Sequence, residues 1–471
     1  MSDELLLRVF SCLPFWDRVR AATVCHRWRT VALCVKLWRV FPTIYNIASY
    51  GALITRSGAD PVTLTHEGLT PELALGFAAL LRAHLHHVQS LTIAFEYLGV
   101  DWSASAGRKE ASSQLAEALS CSAPFLEHFA LRDYRSVGYR DYLDVRVLNL
   151  PKIRALDLRG LDMGSLRAWE GSPTINSITL RLPSAVQSLV EDDWRVICSY
   201  PGVEHLSLDL STLSSMSSGA QLGSGLKHLD LCVPWACFEN FASSRDLSTL
   251  RSLRVQFTVP PDTWQSLGEL LPFVPKTAVT AAIDFPPTPS HRQMANLTAW
   301  TDRGLQITFR DVAYDPGLPH VLCKVRKLSL SGFATCCPDV IPQILETLPL
   351  VAELTFDMTV EELPREDPAR HPLRLTKPTT ILLETLRFVS ARPRSAVPLA
   401  YILPILDGLG GERVRPARLI FDRVPPRHPD DLDPLVPLRA FAEDVVVAES
   451  QSVWPEYRGK WSWEWDDGNM A

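Results

Sequence analysis

The 471-residue sequence lacks any uncharged apolar run of the ~18 residues that a membrane-spanning helix requires. Its N-terminus has the acidic start of a helix and not the basic, apolar character of a secretory signal peptide. The ten cysteines show no framework spacing, and the adjacent pair Cys336-Cys337 lacks the two-residue gap of a zinc or redox motif. We therefore expect reduced thiols in a soluble chain of the cytoplasm, the nucleus or both, with no membrane partner.

Motifs of known catalytic chemistry are also absent. The sequence contains no Gly-x-Ser-x-Gly, no Gly-x-x-x-x-Gly-Lys and no His-Glu-x-x-His. Cys25 and His26 are neighbours, but adjacent residues of a helix do not face each other, so this pair does not form a nucleophile with its base. We expect no catalytic residue and no cofactor, and therefore not an enzyme in its own right.

Two further kinds of partner are disfavoured. The cluster His84-Leu85-His86-His87 invites a metal site, but it has no carboxylate or thiolate at ligand spacing. Its place at the end of a predicted helix suits imidazoles near the negative pole of the helix dipole. A net charge of −6 argues against a nucleic-acid surface. We predict neither a metal nor a nucleic-acid ligand.

Three short amphipathic helices are predicted in the first forty residues. Ser2 can cap the first helix and Pro14 ends it, while Asp17 can cap the second. A third segment opens at Cys25 and ends near Leu33. So short a unit buries too little apolar surface to be stable alone, and it therefore needs a partner surface.

The same residues carry a family resemblance. The motifs are Glu4-Leu5-Leu6, Val9-Phe10-Ser11-Cys12-Leu13-Pro14, Val24-Cys25-His26-Arg27-Trp28 and Leu37-Trp38. This segment resembles an F-box, although Met1-Ser2 replace the family's opening Leu-Pro. The resemblance implies binding to a Skp-type adaptor and, through it, to the cullin and RING core of a ubiquitin ligase. Seven basic residues against three acidic ones give Met1 to Val40 a charge of +4, which suits an acidic partner.

Nine residues are candidates for the adaptor-binding face, by resemblance and by apolar character. They are Leu5, Leu6, Val9, Phe10, Pro14, Val24, Cys25, Trp28 and Trp38. The alternative is an ordinary basic helical N-terminus in which these side chains are simply core.

From Val88 onward a second pattern of three apolar residues recurs. The second apolar residue lies three positions after the first, and the third lies two positions after the second. Its ten copies begin at Val88, Leu126, Ile153, Ile175, Val203, Leu226, Leu250, Val325, Val351 and Leu383. From Leu126 to Leu250 five steps take 124 residues, a mean of 24.8, within the ~20 to 29 residues of leucine-rich repeats. The region resembles a leucine-rich-repeat solenoid, in which each copy supplies one short strand of a parallel sheet.

The repeats depart from the family pattern, because no ladder of Asn or Cys follows the strands and the intervals are uneven. An irregular solenoid is therefore expected, with an unrelated α/β fold of parallel strands as the alternative. After Leu250, Ile283-Asp284-Phe285 and Ile307-Thr308-Phe309 fit degraded strands, and Leu419-Ile420-Phe421 fits the last one. Surface loops are predicted at 102–113, 211–225, 286–289 and 361–380.

The predicted fold class is α/β in four parts. These are a three-helix F-box at 1–41, a helical linker at 42–87, an irregular leucine-rich-repeat solenoid with a parallel sheet at 88–424, and a Pro/acidic and Trp-rich tail at 425–471. In the tail, Trp461, Trp463 and Trp465 alternate and would share one face of an extended segment. That face either covers the end of the solenoid or serves as an exposed docking peptide.

Residues that alternate with the buried strand positions should face solvent and form a target-binding surface. The candidates are His128, Arg132, Asp157, Arg159, Arg181, His205, Asp209, His228, Asp230 and Arg254. A merely solvated polar sheet face is the alternative. Together these features predict a substrate-recognition subunit of an SCF-type ubiquitin ligase whose target protein is unknown. The competing prediction is a non-ligase scaffold whose shortened F-box no longer binds the adaptor.

Overall fold

The computed structural model is a mixed α/β protein with helices at its N-terminus and strands that pair mostly in parallel. It describes residues 2–41, 47–58, 60–95, 108–133, 151–160, 167, 172–182, 186, 188–216, 222–244, 246–258, 278–284, 294–302, 304–313, 322–331, 344–345, 348, 350–357, 383–389, 397–408, 416–422, 426–427 and 433–448. The chain divides into two compact units, Met1–Leu253 and Arg254–Ala471.

The first unit opens with the three predicted helices. They are α1 (Asp3–Cys12), α2 (Phe15–Val24) and α3 (His26–Ala32), followed by a 3₁₀ turn at Val35–Leu37. As expected, the Ser2 hydroxyl accepts a hydrogen bond from the backbone N–H of Leu5 at 3.3 Å. Asp17 does not cap α2, because that helix begins two residues earlier, directly after Pro14. In α3, the sulfur of Cys25 accepts from the backbone N–H of Trp28 and caps the helix.

The sheet begins earlier than the sequence boundary at residue 88. Between the first helices and that boundary lie β1 (Val40–Phe41), α4 (Ile47–Arg56), β2 (Val62–Leu69) and α5 (Pro71–His84). β1 pairs in parallel with β2, and β2 pairs in parallel with β3 (Val88–Phe95). The predicted helical linker at 42–87 therefore contains a full strand. The leucine pattern misses β2 because a histidine, His66, occupies one of its buried positions.

Most of the remaining strands of the first unit lie in the predicted repeats. The remaining strands are β4 (His128–Asp133), β5 (Ala155–Arg159), β6 (Ser177–Arg181), β7 (Ser188–Leu189), β8 (His205–Asp209), β9 (Ser215–Met216) and β10 (His228–Val233), with helices α6 (Arg108–Leu119), α7 (Glu191–Cys198) and α8 (Trp235–Ser243). β7 and β9 do not lie in the predicted repeats, and β9 lies inside the predicted loop at 211–225. β3, β4, β5, β6, β8 and β10 pair in parallel in that order, and β7 pairs with β9. The predicted loop at 102–113 is wrong in its second half, which belongs to α6.

The same backbone turn precedes the strand in successive repeats. In every predicted copy the first apolar residue is buried and a strand follows it. The backbone N–H of Leu226, for example, donates to the carbonyl oxygen of Gly223 at 3.0 Å. The carbonyl oxygen of Glu204 then accepts from both Lys227 and His228 at 2.9 Å. Equivalent pairs join the neighbouring copies, so the repeats share one backbone geometry and one register.

The second unit combines parallel and antiparallel pairing. Its elements are β11 (Ser252–Phe257, which contains the division), β12 (Ala278–Asp284), β13 (Met294–Thr301), β14 (Gln306–Ala313), β15 (Lys327–Ser331), β16 (Glu353–Asp357), β17 (Thr385–Val389), β18 (Val397–Pro398), α9 (Leu399–Gly408), β19 (Arg418–Asp422), β20 (Pro426–Arg427), α10 (Leu435–Leu438) and β21 (Asp444–Ala448). β12, β15, β16, β17, β19 and β21 pair in parallel. In their core, Phe388 stacks on Phe356 at 5.5 Å and on Phe421 at 5.4 Å.

Two parts of this unit differ from the prediction. Ile283 and Ile307 do lie in strands, but β13 lies between those strands and makes β12, β13 and β14 antiparallel neighbours. The sheet also continues past residue 424, because β21 lies inside the predicted tail and pairs with β19. The tryptophans of the tail, the pair Cys336-Cys337 and the predicted loops at 286–289 and 361–380 lie outside the described residues.

Among the helices that the structure describes, none combines the length and the apolar character needed to cross a bilayer.

Gly202 provides a test of the repeated backbone geometry. A Cβ atom at this position would lie 2.7 Å from the carbonyl oxygen of Pro173 and 3.0 Å from that of Ile175. Since both neighbours are backbone atoms, we expect Gly202→Ala to lower the free energy of unfolding by about 1–3 kcal/mol, measured by urea denaturation. Gly76→Ala in α5 is the control, because its Cβ would make only ordinary contacts of 3.6 Å or more. Equal stability of the two variants would contradict the close approach.

Candidate functional site

The nine adaptor-face candidates divide between the inside and the outside of the helical domain. Leu6, Phe10 and Trp38 are buried. The ring of Phe10 meets that of Trp28 edge-on at 5.3 Å, and the indole N–H of Trp38 donates to the carbonyl oxygen of Ala32 at 2.7 Å. Leu6, Phe10 and Trp38 shape the domain, and in this conformation they offer no surface to a partner, whereas Trp28 is half-buried.

The other candidates offer an accessible surface. Leu5 is 49% exposed, Val9 45% and Val24 63%, while Pro14 and Cys25 are also exposed. Leu5 and Val9 are one helical turn apart, so their side chains lie on the same stripe of α1. Exposed aliphatic side chains on a folded domain are typical of a binding surface when they lie together.

Trp16 is an exposed residue that the sequence pattern did not select. It lies in the first turn of α2 with 52% of its surface accessible, while its neighbour Phe15 is buried. Phe15 contacts Trp38 at 5.7 Å between ring centroids. Helical periodicity separates the two faces of α2 but does not say which of two adjacent aromatic residues faces outward. An exposed tryptophan is a frequent anchor of protein interfaces.

Several contacts fix the helical domain to the start of the sheet. Arg39 forms an ion pair with Asp60 at 2.6 Å, and the guanidinium of Arg56 lies 5.7 Å from the ring centre of Trp38. Together with the β1–β2 pairing, these contacts hold the domain in one orientation on the first strands.

Tyr50 of α4 and His66 of β2 form a buried polar cluster near this junction. The Tyr50 hydroxyl donates to the carbonyl oxygen of Thr65 at 2.9 Å, so its oxygen accepts from Nδ1–H of His66 at 3.2 Å. The His66 ring stacks on Phe77 at 4.9 Å, and its Nε2 has no hydrogen-bond partner among the described residues. Burial therefore lowers the pKa of His66 from 6.5 to about 4, and the imidazole is neutral at pH 7.

The target-face candidates of the first unit lie on one face of the sheet, because buried and accessible residues alternate along its strands. Arg132 pairs in register with Arg159, Arg159 with Arg181, and Arg181 with Asp209. These four residues form one row across adjacent strands. A parallel row contains Asp157 and Asp230, separated by Thr179 and Ser207.

The charged residues of these rows pair with each other. Asp157 accepts from Arg132 at 3.0 Å and from Arg159 at 2.9 Å, and Asp209 pairs with Arg181 at 3.1 Å. The surface is therefore a network of paired charges.

The histidines are only partly brought together. His205 and His228 stack face to face with 4.4 Å between ring centroids, next to the ion pair of Glu204 with Lys227. The hydrogen bond from Lys227 lowers the pKa of Glu204. His128 is exposed in β4 at the far side of β5 and β6, and it does not join that pair. Arg254 belongs to the second unit.

The histidine cluster at the end of α5 continues into a 3₁₀ turn at Leu85–His87. His86 and His87 stack at 6.2 Å, and burial together with the charges of both neighbours lowers the pKa of His84. In the part of the chain that the structure describes, no three His, Cys, Asp or Glu side chains are placed to hold an ion together.

Comparison with known proteins supports the prediction of an F-box in the helical domain. The F-box-like family matches residues 3–41, which cover α1 to β1. F-box/LRR-repeat protein 21 of Bos taurus is 33% identical over 92 residues, or 20% of this chain and 19% of that protein. The matched segment thus spans about a fifth of the length of this curated relative. The N-terminal domain is F-box-like, and both findings support an F-box protein.

The buried His66 makes stability depend on pH. Its folded pKa of about 4 lies below the unfolded value of 6.5, so between these values the unfolded chain binds more protons. The free energy of unfolding is therefore not reduced by protonation of His66 above pH 6.5. It falls as the pH is lowered towards 4, by up to roughly 3 kcal/mol.

We expect His66→Gln to lose less stability than the wild type when the pH is lowered from 7 to about 4, as measured by urea denaturation. Glutamine keeps a hydrogen-bonding group near Tyr50 but does not titrate. Parallel pH profiles of the two proteins would contradict the lowered pKa. His128→Gln, at an exposed position, is the control and should follow the wild type.

Proposed function

We propose that this protein is a substrate-recognition subunit of an SCF-type ubiquitin ligase. Its F-box-like domain binds a Skp-type adaptor, which links it to the cullin and RING core, and its sheet binds a target protein. F-box/LRR proteins are typically non-catalytic subunits, so ubiquitin transfer is carried out by other members of the complex. Cytoplasm and nucleus are both compatible with this role.

One observation carries the proposal. The F-box-like domain is fixed to the sheet by Trp38 and Arg39, yet Leu5, Val9 and Val24 remain about half exposed or more on its other helical surfaces. Apolar side chains left accessible on an already folded domain gain free energy when a partner covers them. The excess of basic residues in the same segment favours an acidic partner and speeds its encounter.

The repeats supply the second half of the function. The shared turn, the uniform register and the short parallel strands support an irregular leucine-rich-repeat solenoid, in which each repeat is buried against its neighbours. Such an array presents a wide face of alternating side chains. The candidates from His128 to Asp230 lie on that face and would contact the target.

The mechanism is positioning and not covalent chemistry. The adaptor and the target would bind to one rigid body, because the β1–β2 pairing and the Arg39–Asp60 ion pair hold the F-box-like domain in place. Holding two reactants in a defined arrangement raises their effective concentration. The recognition subunit thus makes a lysine of the target available to the transfer machinery.

The double variant Leu5→Gln with Val9→Gln tests adaptor binding. Both residues are exposed and glutamine is a good helix former, so the domain should remain folded. We expect the affinity for a purified Skp-type adaptor to fall by about tenfold or more, because about 1.4 kcal/mol of lost apolar contact already gives that factor. The measurement is titration calorimetry with the full chain.

Leu75→Gln provides the matched control, since Leu75 is an exposed leucine of α5 outside the F-box-like domain. It should bind the adaptor like the wild type. If the folded wild-type chain captures no adaptor at all, the ligase proposal fails and the non-ligase scaffold takes its place.

A further inference from the structure

The strand β21 has a backbone edge that can accept a further strand. Among the strands that the structure describes, β21 pairs with β19 alone. The backbone N–H of Asp444 donates to the carbonyl oxygen of Ala417, just before β19, at 3.0 Å. Since backbone N–H groups alternate in direction along a strand, those of Val445 and Val447 point to the other edge. A row of such groups is a template for pairing with another extended segment.

The apolar core of the second unit is also uncovered at this strand. One row of the inner sheet face runs in register across β15, β16, β17, β19 and β21 and consists of Leu330, Phe356, Phe388, Phe421 and Val447. The first four side chains are at most 1% exposed, whereas Val447 is 47% exposed. Val436 of the preceding α10 is also exposed, at 63%. The last described repeat therefore leaves apolar surface accessible.

The first strand of the first unit shows how a terminal strand is covered. Phe41 of β1 and the preceding Trp38 are fully buried, and the ring of Phe15 in α2 packs edge-on against both. In an array of repeats each strand is buried by its neighbours, so a terminal strand needs a covering segment. The F-box-like helices are that segment for β1. A cover of β21 must come from another part of the chain or from a partner.

The chain after β21 has the sequence pattern of such a cover. Residues 449–471 lie outside the described residues. Near their end, aromatic and polar residues alternate in the order Trp461, Ser462, Trp463, Glu464, Trp465, Asp466. Leu386 and Phe388 of β17 alternate with polar neighbours in the same way, and both are buried. Tryptophan favours strands and can bury 150–250 Å² in each side chain, so the alternation suits a strand with an apolar inner face.

The connection from β21 to the tryptophans has a suitable length. A parallel neighbour must start beside the beginning of β21, which is about 16 Å back along this five-residue strand. The connection consists of the twelve residues 449–460. Parallel strands need a crossover of about a dozen residues, and twelve extended residues span up to about 40 Å. Pro455 and Gly459 lie in this connection and favour turns.

We infer that residues 461–465 of the same chain form a parallel strand on the free edge of β21, with their three tryptophans over the apolar surface at Val447. The segment thus covers the end of the sheet from within the protein. Its polar residues face solvent, and Glu464 together with the following Asp466-Asp467 places negative charge at the new edge. Charged residues at an edge disfavour pairing with a further strand. The inference is independent of adaptor and target binding.

Hydrogen–deuterium exchange of the full chain, followed by mass spectrometry of peptides that contain β21, tests this cover. In the triple variant Trp461→Ser, Trp463→Ser and Trp465→Ser, we expect the β21 amides to exchange about tenfold faster or more, because they lose their pairing strand. Trp454→Ser is the matched control, since it removes a tryptophan from the connection and should exchange like the wild type. If the triple variant does not fold, Trp463→Ser alone should show the same change to a smaller degree.

Val447→Ser tests the surface that receives the tryptophans. Alone, it should speed exchange of the β21 amides, because it removes apolar contact with the covering segment. Added to the triple variant, it should change the exchange rate by no more than about twofold, since that contact is already lost. Independent effects of the two changes would contradict a contact between the tryptophans and Val447.

The inference is overturned if the β21 amides exchange equally fast in the wild type and the triple variant, in which case the tryptophans are free to dock on another protein. It is also overturned if protection of β21 in the wild type rises with protein concentration, since a second copy then covers the edge. The triple variant should bind the adaptor like the wild type, so failure of this inference and failure of the proposed function are distinguishable.

Discussion

A carbonyl oxygen just before most of the repeat strands accepts two backbone N–H groups from the following repeat, and the order of the sheet depends on these bonds. Arg154 accepts from Asn176 and Ser177, and Asn176 accepts in turn from Glu204 and His205. Since these bonds join the same positions in these repeats, the strands keep one register. Side chains of equivalent positions then stand in rows, whether they are the stacked phenylalanines of the second unit or the arginines of the first.

Much of the sheet could be predicted because its signal is periodic. Each of the ten apolar motifs contains a strand, and their buried leucines lie on the inner face. The strand β2 lacks that signal, since His66 stands in place of an apolar residue and packs against Tyr50 and Phe77. β21 was missed because the preceding prolines and acids resemble the end of an array, while Asp444 to Ala448 carries three valines in place of leucine.

The helical domain shows a different limit. Spacing identified the motif, but it could not separate Leu5 from Leu6, or Trp16 from Phe15, because both members of each pair are apolar neighbours. Which of them faces outward depends on how α1, α2 and α3 pack, and packing is a property of three helices and not of one. The rows of charge were easier to predict, because alternation along a strand fixes which residues share a face. The pairing of Asp157 with two arginines also required the register between strands.

In the second unit, the entropy lost when strands are brought together differs between the antiparallel strands β12, β13 and β14 and the parallel strands. Thr301 and Leu305 close a tight connection in which Gly304 adopts a φ of 80°, and Trp300 pairs with Gln306 only a few residues further along the chain. Parallel partners such as Lys327 and Glu353 are separated by a whole repeat. Because the entropy lost on closing a loop grows with its length, this hairpin requires less loop-closure entropy than the parallel pairings described beside it.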